Sequence, residues 1–212
     1  MKIPQLRKQT EKKNCHGYSW EDDYSWIHQD NCLEILRDTK KLNPEVRKYL
    51  EEENSYTKEI MRDTENLQKK VFKEIEGRIK LDDESLPFKD KKYEYWTKTT
   101  KEGNYSKKLR KKIGSDKVEC YFDGDLEAKG KEFFSTGDLA VSNNDEFLAF
   151  SVDDKGGEYF TIFVRRIVDN KIIEKIEDTA GGIVWSYDDK SFFYRKHDSQ
   201  KRPRQILQHR LG

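Results

Sequence analysis

The 212-residue sequence carries 42 Lys and Arg against 41 Asp and Glu, which gives a formal net charge of +1. This balance argues against a dedicated nucleic-acid-binding protein, because such proteins usually have a strong basic excess. No apolar run approaches the roughly 20 residues of a membrane-spanning helix, and residues 1–14 lack the apolar centre of a secretory signal. With three cysteines and 12% aromatic residues, we expect a cytoplasmic protein without disulfides, folded around a thin, aromatic core.

The first region, residues 1–86, has an aromatic start followed by a helical pattern. Residues 15–32 are rich in aromatic and histidine side chains, and their irregular spacing predicts an extended segment that docks on another surface. The tripeptide Asn43–Pro44–Glu45 predicts a helix start, with Asn43 as the N-cap, Pro44 at the first helical position and Glu45 in the first turn.

An apolar stripe follows this helix start. Its members recur along one helical face, and they are Val46, Leu50, Tyr56, Ile60, Leu67, Val71 and Ile75. Gly77 predicts the helix end, and we expect a break near residues 63–64 because so long a helix is unusual in a globular domain. The stripe needs a large surface to cover it, since helices gain most of their stability from tertiary packing. Residues 82–87 predict a polar linker into the second region.

The second region, residues 87–212, repeats itself. Residues 141–167, shifted by 44 positions, match residues 185–211, and the matching pairs are Ser142/Ser186, Asp145/Asp189, Leu148/Phe192, Phe150/Tyr194, Asp154/Asp198, Ile162/Ile206, Arg166/Arg210 and Ile167/Leu211. Each copy has strands separated by a turn rich in Asp or Asn. A repeat of this length that is made of strands is typical of β-propeller blades with four antiparallel strands.

The sequence predicts blades near residues 91–123, 137–177 and 181–212. The predicted strands are 92–99, 105–113 and 118–122, with Asp123–Gly124 as a turn, then 138–141, 146–152, 159–168 and 171–176, and finally 182–186, 191–195 and 203–211. The predicted fold is therefore mixed: an N-terminal α-helical extension over residues 1–86, then an all-β partial β-propeller of about two to three four-stranded antiparallel blades. Because a closed propeller has typically 4–8 blades, we expect an uncovered sheet face and strand edge.

Several motifs resemble the prolyl oligopeptidase family. His16–Gly17–Tyr18, followed by Asp23–Tyr24–Ser25–Trp26–Ile27, resembles the family's N-terminal His-Gly and Asp-x-Tyr-x-Trp-Leu segment. Residues 43–57 resemble the helix that follows in the oligopeptidase B (protease II) branch. Further motifs similar to that branch are Gly77–Arg78–Ile79, Asp82–Asp83, Gly181–Gly182–Ile183–Val184–Trp185 and Gln208–His209–Arg210–Leu211–Gly212.

This resemblance implies the N-terminal part of a two-domain serine peptidase. In the family, a seven-bladed propeller caps an α/β-hydrolase domain and restricts access to short peptides, and the N-terminal helical extension packs against the hydrolase domain. Members of the oligopeptidase B type cleave after Arg or Lys with a Ser-Asp-His triad, which the resemblance places beyond position 212. The resemblance therefore implies that the α/β-hydrolase catalytic domain is absent from these residues. We expect this chain to carry no catalytic, cofactor-binding or metal-ligating residue, and to need no cofactor.

The residues themselves favour the same expectation. No Gly-x-Ser-x-Gly nucleophile elbow occurs, and the nearest strings, Gly17–Glu21 and Gly114–Ser115, lack the second glycine at the right offset. For His16, His28, His197 and His209 we favour structural or surface roles over that of a triad base.

Two cysteine sites are also disfavoured. A Cys15–His16 nucleophile and base is unfavourable because neighbours in an extended chain point to opposite sides. A zinc site of Cys15, Cys32 and either His16 or His28 lacks a CxxC element.

The charged clusters are interpreted as structural. Residues 21–23 and 82–84 could supply paired carboxylates, but turn and linker positions are favoured, and the glycine pairs 156–157 and 181–182 are interpreted as blade turns. The basic run 107–112, with Lys98, Lys101 and Tyr105, suggests nucleic-acid binding, and residues 201–204 do so more weakly. A solvated edge strand whose lysines prevent aggregation is favoured for the basic run.

Three functional hypotheses follow. The first is the N-terminal, propeller-side fragment of an oligopeptidase B-like serine peptidase, whose partner is a second chain with the remaining propeller and the hydrolase domain. Such an assembly would act on short peptides, with no membrane partner and no nucleic acid expected. The alternative is a non-enzymatic binding module that uses exposed strand edges and basic strands, and a third, less favoured, is a stand-alone domain that dimerises edge to edge.

Overall fold

The computed structural model describes residues 2–212, and the chain divides into two compact units, Met1–Ile79 and Lys80–Gly212. The first unit contains a β-hairpin and three helices. The second is built from antiparallel sheets and one short helix.

The first unit begins with a hairpin of β1 (Glu11–Cys15) and β2 (Tyr18–Asp22). Its two-residue turn is His16–Gly17, and both residues have a positive φ, of 51° and 84°, as the turn that best matches the twist of a hairpin requires. A short 3₁₀ turn follows at Ser25–Ile27. The prediction of an extended segment over residues 15–32 is therefore correct only for its first part, because local pairing of β1 with β2 bends the chain back on itself.

Three helices complete the first unit. They are α1 (Cys32–Arg37), α2 (Pro44–Met61) and α3 (Glu65–Glu76), with 3₁₀ turns at Thr39–Lys41 and Arg62–Thr64. The predicted N-cap is confirmed, since the Asn43 side chain accepts hydrogen bonds from the backbone N–H groups of Glu45 and Val46. The predicted break near residues 63–64 is also confirmed, as the 3₁₀ turn between α2 and α3.

The first sheet of the second unit comprises β3 (Asp83–Glu84), β4 (Phe88–Asp90), β5 (Tyr93–Thr99), β6 (Lys107–Lys112) and β7 (Val118–Asp123). The short strands β3 and β4 lie one after the other along the same edge of β5, so this blade has four rows where the sequence predicted three. Residues 82–87 were predicted to be a linker, but β3 lies within them because the edge of β5 offers backbone groups to pair with. Pro87, which has no N–H, lies in the gap between β3 and β4.

A short helix, α4 (Gly124–Ala128), connects this sheet to the next. The sequence predicted a turn at Asp123–Gly124. Instead, the Asp123 side chain caps α4 by accepting from the backbone N–H groups of Asp125 and Leu126, at 3.1 and 3.3 Å.

The second sheet has the order β11–β10–β9–β8, and its strands are β8 (Ser135–Val141), β9 (Phe147–Asp153), β10 (Phe160–Arg166) and β11 (Lys171–Thr179). The third has the order β12–β13–β14, with β12 (Val184–Trp185), β13 (Ser191–His197) and β14 (Pro203–Arg210). These antiparallel meanders are blades of a partial β-propeller, as the sequence predicted. They are called the first, second and third blade in chain order.

The core of the second unit lies between the blades. Strand β9 is buried on both of its faces, because its alternate side chains point to different neighbours. Leu148 and Phe150 pack in a cluster with Phe122 of the first blade, whereas Ala149 packs in a second cluster with Phe192 of the third. The second blade therefore forms the centre of a three-layer stack.

This arrangement predicts where truncation is costly. We expect Leu148→Ala to lower the free energy of unfolding by about 2–5 kcal/mol, because Leu148 is fully buried and its removal leaves a cavity between two blades. Leu126→Ala is the matched control, because Leu126 is 69% exposed. We expect this substitution to change the free energy of unfolding by no more than about 0.5 kcal/mol, apart from a small effect of helix propensity. Urea unfolding followed by fluorescence measures both values, and equal effects of the two substitutions would contradict the stacked core.

Candidate functional site

In the first turn of the third blade, the carboxylate of Asp189 links this blade to the second blade through hydrogen bonds. Asp189, in the turn between β12 and β13, accepts hydrogen bonds from the backbone N–H groups of Asn143 and Asn144, at 2.6 and 2.7 Å, and from the Asn143 side chain at 2.9 Å. The Trp185 indole N–H also donates to the Ala140 carbonyl oxygen, at 2.9 Å. Charge-assisted bonds to main-chain donors fix the position of the third blade on the second.

The equivalent carboxylate in the second blade faces the first blade. The Tyr95 hydroxyl donates to Asp145 Oδ1 at 3.2 Å, and the buried Arg110 guanidinium donates to the Asp145 carbonyl oxygen at 2.9 Å. Burial and the adjacent Asp145 carboxylate raise the pKa of Tyr95, so that its hydroxyl remains a donor. Asp145 Oδ2 is buried without a hydrogen-bond partner, beside a groove of about 870 Å³ that the first two blades share.

These two carboxylates occupy equivalent positions of the predicted 44-residue repeat, and both have a positive φ. Ser142 and Ser186 are equivalent in the same way, since each hydroxyl accepts the backbone N–H of the residue that starts the next strand, Phe147 or Ser191. From the sequence alone, this part of the repeat is interpreted only as an Asp- and Asn-rich turn. Its link between blades was missed, although the match of Asp145 with Asp189 was the available signal.

The third blade exposes apolar side chains on the side away from the second blade, which we call the forward face. Val184, Phe193 and Ile206 lie on this side, because Phe193 pairs with Val184 and Ile206 pairs with Arg195, two residues further along β13. Arg195 and Gln208 lie among them on the same face. Ile206 is 75% exposed and Val184 is 64% exposed.

The repeat indicates what the forward face is built to contact. In the second blade, the positions equivalent to Phe193 and Ile206 are Ala149 and Ile162, and both are fully buried against the third blade. The same positions that hold two blades together are therefore uncovered in the third blade. Its forward face has the chemistry of a surface for a further blade.

A second exposed apolar surface lies within the first unit. Of the predicted stripe only Val46 is buried, whereas several of its members and neighbours on α2 and α3 are exposed, namely Leu50, Ile60, Leu67, Val71, Phe72 and Ile75. Contiguous apolar surface of this kind marks an interaction site in soluble proteins. We call it the helix stripe.

The basic run lies on β6, which pairs with β5 on one side and β7 on the other. The interpretation as a solvated edge strand is therefore wrong, because the strand is central in its sheet. Three of its five basic residues are partnered: Lys107 contacts Asp123 at 2.8 Å, Arg110 contacts Glu119 at 3.1 Å and Lys111 contacts Glu94 at 3.5 Å. This pairing weakens the positive field that nucleic-acid binding would need.

The histidines and cysteines of the described chain do not form a nucleophile–base pair. His16 is in the hairpin turn, His28 follows the 3₁₀ turn, His197 ends β13, and His209 contacts Glu174 at 3.3 Å. All three cysteines are unbridged and exposed. Within residues 2–212 no three His, Cys, Asp or Glu side chains cluster as metal ligands do, and no helix of that range has the length and apolar character needed to cross a bilayer.

Comparison with known proteins identifies the family. Residues 4–212 match the family described as the prolyl oligopeptidase N-terminal β-propeller domain. The chain belongs to this family. The assignment agrees with the resemblance found in the sequence.

Individual relatives of this family member extend the comparison. It is 27% identical over 202 residues to dipeptidyl aminopeptidase BI of Pseudoxanthomonas mexicana, covering 87% of this chain and 27% of the relative. It is 25% identical over 221 residues to Protease 2 of Moraxella lacunata, covering 100% of this chain and 30% of the relative. Oligopeptidase B of Leishmania major has a similar structure, with a TM-score of 0.87 and 27% identity over 100% of this chain and 31% of that one. The chain thus spans under a third of the length of these relatives.

The carboxylate link between blades is testable. We expect Asp189→Asn to lower the free energy of unfolding by about 1–3 kcal/mol, because the amide retains only one acceptor oxygen for the donors of Asn143 and Asn144. Asparagine tolerates the positive φ of this position, so the backbone is not strained. Asp154→Asn, at an exposed position beyond the opposite end of β9, is the control and is expected to change stability little. Denaturant unfolding of both variants measures the difference, and an unchanged Asp189 variant would contradict the link.

The Lys107–Asp123 pair predicts a pH dependence. Burial raises the pKa of Asp123, but hydrogen bonds from Lys107 and from the backbone N–H groups of Leu126 and Asp125 outweigh it, so the pKa is lowered overall. A lowered pKa contributes stability above the ordinary pKa of about 3.9, and this contribution is lost as pH falls through the folded-state value. We expect Asp123→Asn to be less stable than the wild type at pH 7 and the difference to shrink below about pH 4. Thermal unfolding across this range tests it, and a constant difference would contradict it.

Proposed function

We propose that this chain supplies the helical N-terminal segment and the first blades of the propeller in a serine-type oligopeptidase of the oligopeptidase B kind. The observation that carries the proposal is the likeness to the L. major oligopeptidase B, which extends over the whole chain with a TM-score of 0.87. The relatives named peptidase, protease or aminopeptidase support the same class of reaction.

In this proposal the chain acts by enclosing the reaction rather than performing it. A hydrolase domain with a Ser-Asp-His triad cleaves short peptides after Arg or Lys, and the propeller restricts access to that domain. The remaining blades and the hydrolase domain come from further residues of the same polypeptide or from a second chain. The complete assembly works in the cytoplasm, and residues 1–212 alone do not hydrolyse peptides.

The exposed apolar surfaces support this division of labour. The forward face repeats the positions by which the second blade holds the third, so a fourth blade fits it by the same packing. The helix stripe offers a second surface for the rest of the enzyme, since an amphipathic helix gains its stability from the surface that it contacts. The alternative of a binding module based on basic strands has less support, because Lys107 and Lys111 of β6 are paired with acidic side chains.

A peptidase assay tests the proposal. The 212-residue chain alone is expected to release no product from a short fluorogenic peptide with Arg before the scissile bond, and to resist labelling by a serine-directed fluorophosphonate. A chimaera that joins residues 1–212 to the part of M. lacunata Protease 2 that follows its matched segment is expected to hydrolyse the peptide.

Two controls make the chimaera informative. Changing the serine of its Gly-x-Ser-x-Gly motif to Ala is expected to abolish turnover. Phe193→Asp on the forward face is expected to reduce activity and stability by placing a charge between blades, whereas Val168→Asp, at an 87% exposed position, is expected to do neither. Inhibitor-sensitive turnover by residues 1–212 alone, or a folded chimaera without turnover, would overturn the proposal.

A further inference from the structure

The second and third blades meet at a small polar contact at the end of their seam opposite Asp189. The loop that follows β9 carries Glu158 and Tyr159, and the turn that follows β13 carries Lys201. Lys201 Nζ lies 3.2 Å from Glu158 Oε2 and 5.6 Å from the centre of the Tyr159 ring. The Tyr159 ring in turn meets the His197 imidazole edge-on, with 5.4 Å between the ring centres.

The His197 imidazole lies at the centre of this contact, in an environment that favours its uncharged form. Its Nδ1 atom is buried and has no hydrogen-bond partner. A neutral imidazole can leave one ring nitrogen without a proton, whereas a protonated imidazole carries an N–H on both nitrogens. Protonation would therefore place a donor with a share of positive charge where neither water nor an acceptor meets it, which is costly.

Charged side chains surround His197 on both sides of the contact. Glu158 faces His197 from the second blade, while Arg195, Asp198 and Lys201 face it from its own hairpin. Burial first, and then Lys201 and Arg195, lower the pKa of His197, and the two carboxylates offset this only in part. The ordinary pKa of a histidine is about 6.5. When the folded state lowers this pKa, the uncharged histidine stabilises the closed contact at pH values above about 6.5, and this stabilisation decreases as the pH falls below that value.

We propose that the contact between residues 154–159 and residues 197–202 is an acid-sensitive latch between the second and third blades. At neutral pH the uncharged His197 holds the Tyr159 ring, and Lys201 holds Glu158. Protonation of His197 drives its ring out of the contact and separates the loop from the turn. The apolar seam around Phe192 and Ile162 stays closed, because its side chains do not titrate.

Hydrogen exchange followed by mass spectrometry on the full chain tests the latch. The turn amides of Asp198 and Lys201 are hydrogen-bonded within the turn, and the loop amides of Lys155, Gly156 and Glu158 donate to Asp153. Their exchange reports the local opening of each segment, which becomes easier when the contact no longer holds the segment in place. After correction for the intrinsic effect of pH on exchange, protection of both segments is expected to fall several-fold between pH 7.5 and pH 5.5. Peptides from β9 and β10 are expected to keep their protection.

Matched variants separate the latch from general acid lability. His197→Gln, which cannot gain a charge, is expected to keep the same protection at both pH values, while His209→Gln, on the neighbouring strand, is expected to lose it as the wild type does. An NMR titration of the wild-type His197 ring needs no variant, and it is expected to give a pKa below the ordinary value. Unchanged protection in the wild type, equal loss in His197→Gln, or an ordinary or raised pKa would each overturn the proposal.

Discussion

The fold of the second unit depends on a strand that is buried on both faces. Leu148 and Phe150 of β9 point towards the first blade and Ala149 points towards the third, so the second blade is stable only between two neighbours. A blade has too little apolar area to bury by itself, which makes the unit a stack in which each layer stabilises the next. The exposure of Val184 and Ile206 in the third blade follows from the same rule.

Apolar packing holds the blades together, but polar turns set their orientation. Hydrophobic contact has no direction, whereas the bonds from Asn143 and Asn144 to Asp189 require one position of the third blade. Asp145 has the same place in the first seam, where the Tyr95 hydroxyl donates to its carboxylate and Arg110 donates to its backbone carbonyl. The repeat therefore encodes two things at once: an apolar sheet face, and a carboxylate that orients that face on the preceding blade.

The functional interpretation rests on surfaces rather than on a catalytic constellation. The forward face and the helix stripe both carry exposed apolar side chains, and both are typical of surfaces that contact other parts of an assembly. The proposed oligopeptidase assigns a contact to each of them. The contact of His197 with Tyr159 adds a histidine to a seam that otherwise consists of apolar side chains and polar turns.

The sequence alone determined the long helical segment with its N-cap at Asn43 and its break after α2, most strands of the three blades, the 44-residue repeat and the family, because these depend on local hydrogen bonding, periodicity and motif spacing. Only the tertiary structure showed that β3 extends the first blade, that β6 is a central strand, and that Asp123 caps a helix. A strand's place in a sheet depends on partners that are distant in sequence, and a carboxylate's role depends on the donors that folding brings to it. Neither is encoded in the spacing of residues along the chain.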